Sequence, residues 1–323
     1  MIKAAIVGLG RWGQTLVNSV QGNSDKIRFS TAVSRDPARV QEFTARHGLK
    51  TVTSLAAALT DPAVDAVVLA TPHSQHLDEV LATAAAGKAV FCEKPLTLTR
   101  AEAERAVAAC RDAGVLLGVG TDKRFFPAMA EVARLSESGE LGQLLHLEGN
   151  FSNEVSAMFF SPWRDSPEES PAAGMTGTGI HVLDSMIRIA GPVHRVRAQI
   201  VAQKPAPDPL DTISILLEFS SGMSGTLAAV RCTPLFLRLH VFGRDGSAEV
   251  VGRNELILRR SRGEAEHRKF PANDSVRINL EAFADALTGA APYPITTDHM
   301  IDVVAAFEAI TKSAAADGEG VKA

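Results

Sequence analysis

Residues 1–20 read MIKAAIVGLGRWGQTLVNSV, and the reading of residues 4–13 decides the fold. Small and apolar residues from Ala4 onward run straight into Gly8-Leu9-Gly10-Arg11-Trp12-Gly13. Glycines at this spacing are, on their own, only a tight turn. They become a dinucleotide-binding turn when a strand leads in, a helix leads out and a strand–helix–strand unit surrounds them. Backbone N–H groups then come close to a pyrophosphate, and the positive end of the helix favours its charge.

The rest of the chain supplies that setting. Strand-like runs at Ala4–Val7, Ile27–Val33, Ala66–Ala70, Ala89–Cys92 and Val115–Val119 alternate with helix-like runs at Gly13–Val20, Pro37–His47, His76–Ala86 and Ala101–Ala113. Thr99-Arg100-Ala101-Glu102 has the form of a capping box for the last helix. Such alternation predicts a parallel sheet with helices on both faces. The pattern then changes. A strand is expected at 141–153, a helix at Ile180–Ala190 after a glycine-rich approach, and strands at Ile213–Phe219, Met223–Val230 and Leu237–Phe242. Turn signals at Ser221-Gly222 and Asp245-Gly246 separate these strands, which predicts an antiparallel sheet. Leu280–Leu287 and Met300–Ala316 read as closing helices, and the domain boundary is expected near Asp122–Pro127.

Composition excludes several classes. The 323 residues suffice for two domains, and 46% hydrophobic with 22% charged residues is ordinary for a globular protein. A net charge of −4 without basic runs argues against non-specific nucleic-acid binding. No apolar stretch approaches the roughly 18 residues of a membrane helix. The start goes directly into a strand, without a leader-like segment, so a cytoplasmic protein is expected. Cys92, Cys110 and Cys232 have neither disulfide nor metal spacing, which reads as reduced thiols and no metal site.

A carboxylate about 20 residues past the glycines would accept the ribose hydroxyls of NAD. Ser34-Arg35 stands there instead, 21 positions from Gly13 to Ser34. A hydroxyl and a guanidinium suit a 2′-phosphate, so NADP(H) is the expected cofactor, with NAD(H) possible. Asp36 comes late and precedes Pro37, the position of a helix cap. Arg35 as an ordinary solvated residue is the competing reading.

Two longer segments carry a resemblance: VVLATPHSQHLDEVLATAAAGKAVFCEKPLTLT (67–99) and WRDSPEESPAAGMTGTGIHVLD (163–184). With Lys123-Arg124-Phe125-Phe126-Pro127 and the pattern from Phe283 to Val321, the chain resembles the glucose–fructose oxidoreductase/inositol dehydrogenase (Gfo/Idh/MocA) family over essentially its whole length. The resemblance implies an α/β protein: a doubly wound Rossmann domain over 1–122, and an α/β substrate-binding and oligomerisation domain with a large open, mainly antiparallel sheet over 123–323. It implies NAD(P)-dependent hydride transfer at a carbinol or carbonyl of a small sugar, polyol or cyclic diol. Lys94 matches the family's active-site lysine and His181 its histidine. The expected cofactor-binding set is Gly8, Gly10, Arg11, Trp12, Gly13, Ser34, Arg35, Thr71, Pro72, His76, Glu93 and Lys94.

The chemistry stands independently. A lysine beside a cationic nicotinamide has its ammonium form disfavoured, and as a cation it stabilises a developing oxyanion. A histidine near a helix N-terminus is favoured neutral and can relay a proton or orient a hydroxyl. Asp184 reads as structural, sharing a face with His181 or pairing with Arg188 one turn on. One departure stands out. The family commonly has an aspartate four residues before the histidine, and here that residue is Gly177, with only Thr176 and Thr178 hydroxyls beside it. Lys94 and His181 suffice, another carboxylate enters from elsewhere in space, or the chain has drifted from dehydrogenation. A cofactor-binding sensor without turnover and a redox-neutral lyase or hydrolase with bound nicotinamide therefore remain open. Residues 155–163, VSAMFFSPW, read equally as pocket lining or core. Apolar residues on both phases of the strand near 213–219 predict a homodimer or homotetramer through that sheet.

Overall fold

The computed structural model describes residues 1–158, 162–205 and 207–323; Phe159, Phe160 and Ser161 of the apolar stretch lie outside the described residues. Packing divides the chain into two units, residues 1–121 with 276–300, and residues 122–275 with 301–323.

The first unit runs β1 (Ile2–Val7), α1 (Arg11–Val20), β2 (Ile27–Val33), α2 (Pro37–His47), β3 (Lys50–Val52), α3 (Leu55–Leu59), β4 (Ala66–Leu69), α4 (His76–Ala85), β5 (Ala89–Cys92), α5 (Arg100–Asp112) and β6 (Leu117–Val119). Its six strands lie in the order β3-β2-β1-β4-β5-β6, every neighbouring pair parallel. β4 and β5 are buried at every position, as central parallel strands covered on both faces must be. The Thr99–Glu102 capping box forms. β3 and α3 escape sequence reading because they span only three and five residues. The strand order reverses between β1 and β4. That places the ligand crevice of such a sheet beyond the carboxyl ends of β1 and β4.

One stretch expected in the second domain packs with the first. Leu280, Phe283 and Ala284 share a core with Ile6, Val68 and Phe91. Phe283 meets Phe91 edge-on at 5.5 Å. The cause lies in β6, an edge strand with unpaired backbone groups. Asn279 Nδ2 donates to the Val119 carbonyl at 2.9 Å, and Val119 N–H donates to the Tyr293 hydroxyl at 3.2 Å. The returning segment thus covers the edge and its apolar flank together.

The second unit contains α6 (Pro127–Glu137), β7 (Leu144–Ser152), α7 (Ile180–Ala190), β8 (Val193–Val201), β9 (Thr212–Phe219), β10 (Ser224–Val230), β11 (Phe236–Gly243), β12 (Gly246–Val251), β13 (Glu255–Arg260) and β14 (Glu266–Lys269). After the returning helix α8 (Ser275–Thr288) come α9 (Thr297–Ala315) and β15 (Val321–Lys322). The nine-stranded sheet has the order β14-β13-β12-β11-β7-β10-β9-β8-β15. Its neighbours are antiparallel except β7 and β10. In β9 Ile213, Ile215, Leu217 and Phe219 are buried, whereas Leu216 points the other way and is 57% exposed. Among the described residues no helix is long and apolar enough to cross a membrane.

Candidate active site

The turn after β1 separates two demands for glycine. Gly8 has φ +89°, and a Cβ there would press on the Ala70 carbonyl, while a Cβ on Gly13 would run into the Gly8 carbonyl. Gly10 is different: nothing lies within 4 Å of where its Cβ would be, and its φ is an ordinary −74°. The chain's own packing requires the first and third glycines and leaves the second free of any internal demand. Gly10 is also the N-cap of α1, which has no side-chain cap and no acidic residue in its first turn. The positive dipole end of this helix points its charge where a pyrophosphate would sit. Arg11 is exposed beside this turn, and Trp12 packs on the unit's core.

At the end of β2, Asp36 is the N-cap of α2, its carboxylate accepting from Arg39 N–H at 3.3 Å. Ser34 is engaged locally: its hydroxyl donates to the Asp36 carbonyl at 2.8 Å and accepts from Asp36 N–H at 3.3 Å. Arg35 is exposed, leaving the guanidinium as the outward-facing group of the pair.

The turns after β4 and β5 are tied together. The buried His76 ring has Nδ1 2.9 Å from the Pro95 carbonyl and Nε2 3.2 Å from the Thr71 carbonyl. Thr71 donates its hydroxyl to Glu79 at 2.5 Å, and burial raises the Glu79 carboxyl above its ordinary range. Pro72 opens the short turn His73–Gln75. Glu93 is 6% exposed, with its carboxyl packed over the Cα of Gly120 and one oxygen accepting from Lys94 N–H at 3.2 Å. Lys94 is half-buried, two residues past the end of β5. At the last position of β5, Cys92 is fully buried, and burial first, then the charges of Glu93 and Glu79, push its thiol well above the ordinary value. Cys92 is a core residue, without thiolate character.

The second unit presents His181, the second residue of α7, only 5% exposed. A wide turn, Met175–Gly179, wound as a π-helix, leads into it. Such turns re-aim the first residues of the helix that follows. Phe151 walls the ring at a centroid distance of 6.1 Å. Asp184 pairs with Arg124 rather than Arg188: Arg124 Nε and Nη2 donate to the two carboxylate oxygens at 2.9 and 3.0 Å, all buried. Arg188 turns outward to Glu137 at 3.0 Å. The Arg124–Asp184 pair fastens the turn Asp122–Phe125 to α7. That turn carries Asp122, whose Oδ1 lies 4.0 Å from His181 Nδ1. Sequence reading missed Asp122, because an acid beside a lysine carries no local signal of what it will face 59 residues later.

Strand order, uncapped helix start and glycine pattern define a dinucleotide-binding domain. Two family models match the chain: the oxidoreductase family with NAD-binding Rossmann fold over residues 2–121, and the GFO/IDH/MocA C-terminal domain over 129–249. The chain belongs to the GFO/IDH/MocA oxidoreductase family. Trans-1,2-dihydrobenzene-1,2-diol dehydrogenase of Sus scrofa is 29% identical over 244 residues, 74% of this chain and 70% of the relative. The scyllo-inositol 2-dehydrogenase (NAD(+)) of Bacillus subtilis (strain 168) is 29% identical over 272 residues, 78% and 71% of the two chains. A levoglucosan dehydrogenase solved with NADH and levoglucosan superposes with a TM-score of 0.88 over 99% of both chains at 20% identity, a likeness of fold.

Proposed function

We propose that the protein is an NADP(H)-preferring dehydrogenase of a small cyclic diol, polyol or sugar. The observation that carries this reading is the position of Lys94, at the carboxyl end of β5 in a sheet whose strand order puts ligands at that end. The relatives support the substrate class, being named for a dihydrobenzenediol and for scyllo-inositol. Bound nicotinamide supplies the hydride acceptor. Lys94 takes or returns the hydroxyl proton and, as a cation, stabilises oxyanion charge on the reacting oxygen. His181 orients the substrate hydroxyl and exchanges a proton with it. Glu93, fixed against Gly120, holds the Lys94 backbone through its N–H.

Cofactor choice rests on the end of β2. Asp36 caps α2, which favours a structural role over one at the ribose hydroxyls, and Arg35 offers the planar fork of donors that a 2′-phosphate takes. Assembly rests on the outward face of the nine-stranded sheet, where Leu216 (57%), Phe236 (51%) and Val251 (41%) stand exposed. A second copy on that face gives a dimer or a dimer of dimers. Light scattering at micromolar concentration then reads more than one chain per particle, and a monomer removes the proposal.

The functional test is a panel of cyclic diols, polyols and sugars with NADP+ and with NAD+, followed at the absorbance of reduced nicotinamide. Turnover with NADP+ exceeding that with NAD+ is the expected result. Silence across the panel with both cofactors overturns the dehydrogenase reading.

A further inference from the structure

We propose that Asp122 is the positioning carboxylate of His181. This rests on the reading of His181 as a group that handles the substrate's hydroxyl proton. The approach to that histidine, Gly174-Met175-Thr176-Gly177-Thr178-Gly179-Ile180, contains no acid. The acid comes instead from another segment. Asp122 is 3% exposed, and a carboxylate so buried is retained only where partners hold it. Oδ2 is anchored twice, accepting from the Ser275 hydroxyl at 2.8 Å and from Lys123 Nζ at 2.8 Å. Oδ1 is buried with no hydrogen-bond donor among the described residues, and it faces His181 Nδ1 at 4.0 Å. That is an ion-pair distance, longer than a hydrogen bond. Contacts of this kind are commonly long before substrate binds and tighten afterwards.

The architecture fixes the encounter. The buried Arg124–Asp184 pair locks the turn bearing Asp122 to the helix bearing His181, two and three residues away from the respective groups. Ser275 and Lys123 orient the carboxylate so that one oxygen is left for the ring. A carboxylate opposite Nδ1 keeps the proton there and leaves the lone pair on Nε2. It also stabilises the imidazolium, against the N-terminal end of α7, which disfavours it. The other charged groups on these elements are Lys123, which shares Oδ2, Arg124 with Asp184, which neutralise each other, and Arg188, which turns outward to Glu137. Phe151 adds only an apolar wall. Asp122 therefore sets both the tautomer of His181 and its affinity for a proton.

The test is side-chain 15N NMR of the full-length protein, with the His181 signals assigned by their loss in His181→Gln. In the parent protein the neutral ring is expected to carry its proton on Nδ1; a proton on Nε2 overturns the proposal without any variant. In Asp122→Asn the titration midpoint of His181 is expected to fall by about one pH unit, and Asp122→Glu to restore most of it. An unchanged midpoint in a folded Asp122→Asn protein also overturns it. Neither readout needs turnover, so failure to find a substrate bears on the dehydrogenase reading and not on this pair. Once a substrate is found, the acid limb of the kcat/KM profile moves with the NMR midpoint.

Discussion

Lys94 and His181 reach their places by opposite routes. Lys94 is placed locally: β5 ends at Cys92, and the lysine follows two residues later at the strand end where an open parallel sheet gathers its ligands. His181 is placed at a distance. Its helix is held by Arg124, 60 residues before Asp184, and its ring is faced by Asp122, 59 residues before it. The first kind of placement depends on neighbours in the same unit, such as His76 against the Pro95 carbonyl and Glu93 against Gly120. The second depends on a buried ion pair that has to survive for the geometry to exist. Proton chemistry and structural vulnerability should therefore separate on mutation.

Lys94→Ala tests the local side and carries the largest expected effect. Loss of a positioned acid–base group typically lowers kcat by about 10²–10⁴. Cofactor affinity and melting temperature should hold, because the side chain follows the strand and does not build it. A variant turning over at the parental rate across pH removes Lys94 from the chemistry. His181→Ala is expected to cost less, about 10–10² in kcat, as suits a group that orients as much as it transfers.

Arg124→Ala tests the distant side. Breaking one partner of a buried pair costs about 3–5 kcal/mol, since Asp184 is left charged in the interior. Arg188→Ala, on the same helix but paired outward with Glu137, should cost no more than about 1 kcal/mol. Denaturant unfolding of the two variants distinguishes them directly. Equal losses would mean that the Asp122–Phe125 turn is held to α7 by something other than the Arg124–Asp184 pair.

The same contrast explains what the sequence could show. In the first unit the glycine turn follows a short run of mostly apolar residues and is legible locally, whereas Thr71-Pro72 and Glu93-Lys94 stand out through the resemblance carried by residues 67–99. The capping box at Thr99 and the cap at Asp36 were legible locally as well. In the second unit α7 was legible, but Asp184 was open between two neighbours and paired with neither. β14 reads Glu-His-Arg-Lys, with no apolar residue to mark it, and the strand pattern legible in the sequence stops at Phe242, before β12 and β13. The return of residues 276–300 to the first sheet was illegible because it answers an edge strand about 160 residues upstream, in hydrogen bonds such as Asn279 to Val119.

Cofactor selection sharpens the local side further. Arg35→Ala should weaken NADPH by about 1–3 kcal/mol, the scale of a charge-assisted contact, and leave NADH nearly unchanged. Gly10→Ala makes a companion. Its methyl meets nothing within 4 Å, so the melting temperature should stay near the parental value, while both cofactors weaken together. Titration calorimetry resolves the two patterns. Equal NADPH and NADH affinities in the parent protein would refute the role of Arg35.

The smallest effect belongs to the outward face of the second sheet, where His240 is buried among charges. Its ring stacks on Phe242 at 3.9 Å, and Nδ1 accepts from Arg238 Nη2 at 3.1 Å, which leaves the proton on Nε2. Burial first, partly offset by Glu249 and reinforced by Arg238 and Arg259, lowers its proton affinity below the ordinary histidine value. An unfolded chain then binds a proton at this residue before the folded one does. Stability from His240 is complete above its ordinary value of 6.5 and is lost as pH falls through the lower folded-state value. Protonating Nδ1 also removes the acceptor that Arg238 uses. His240→Gln keeps an acceptor for Arg238 and cannot titrate, so its melting temperature should decline less than the parent's between pH 6.5 and 5. Parallel curves for the two proteins would show that the imidazole is solvated well enough to titrate as it does in the unfolded chain.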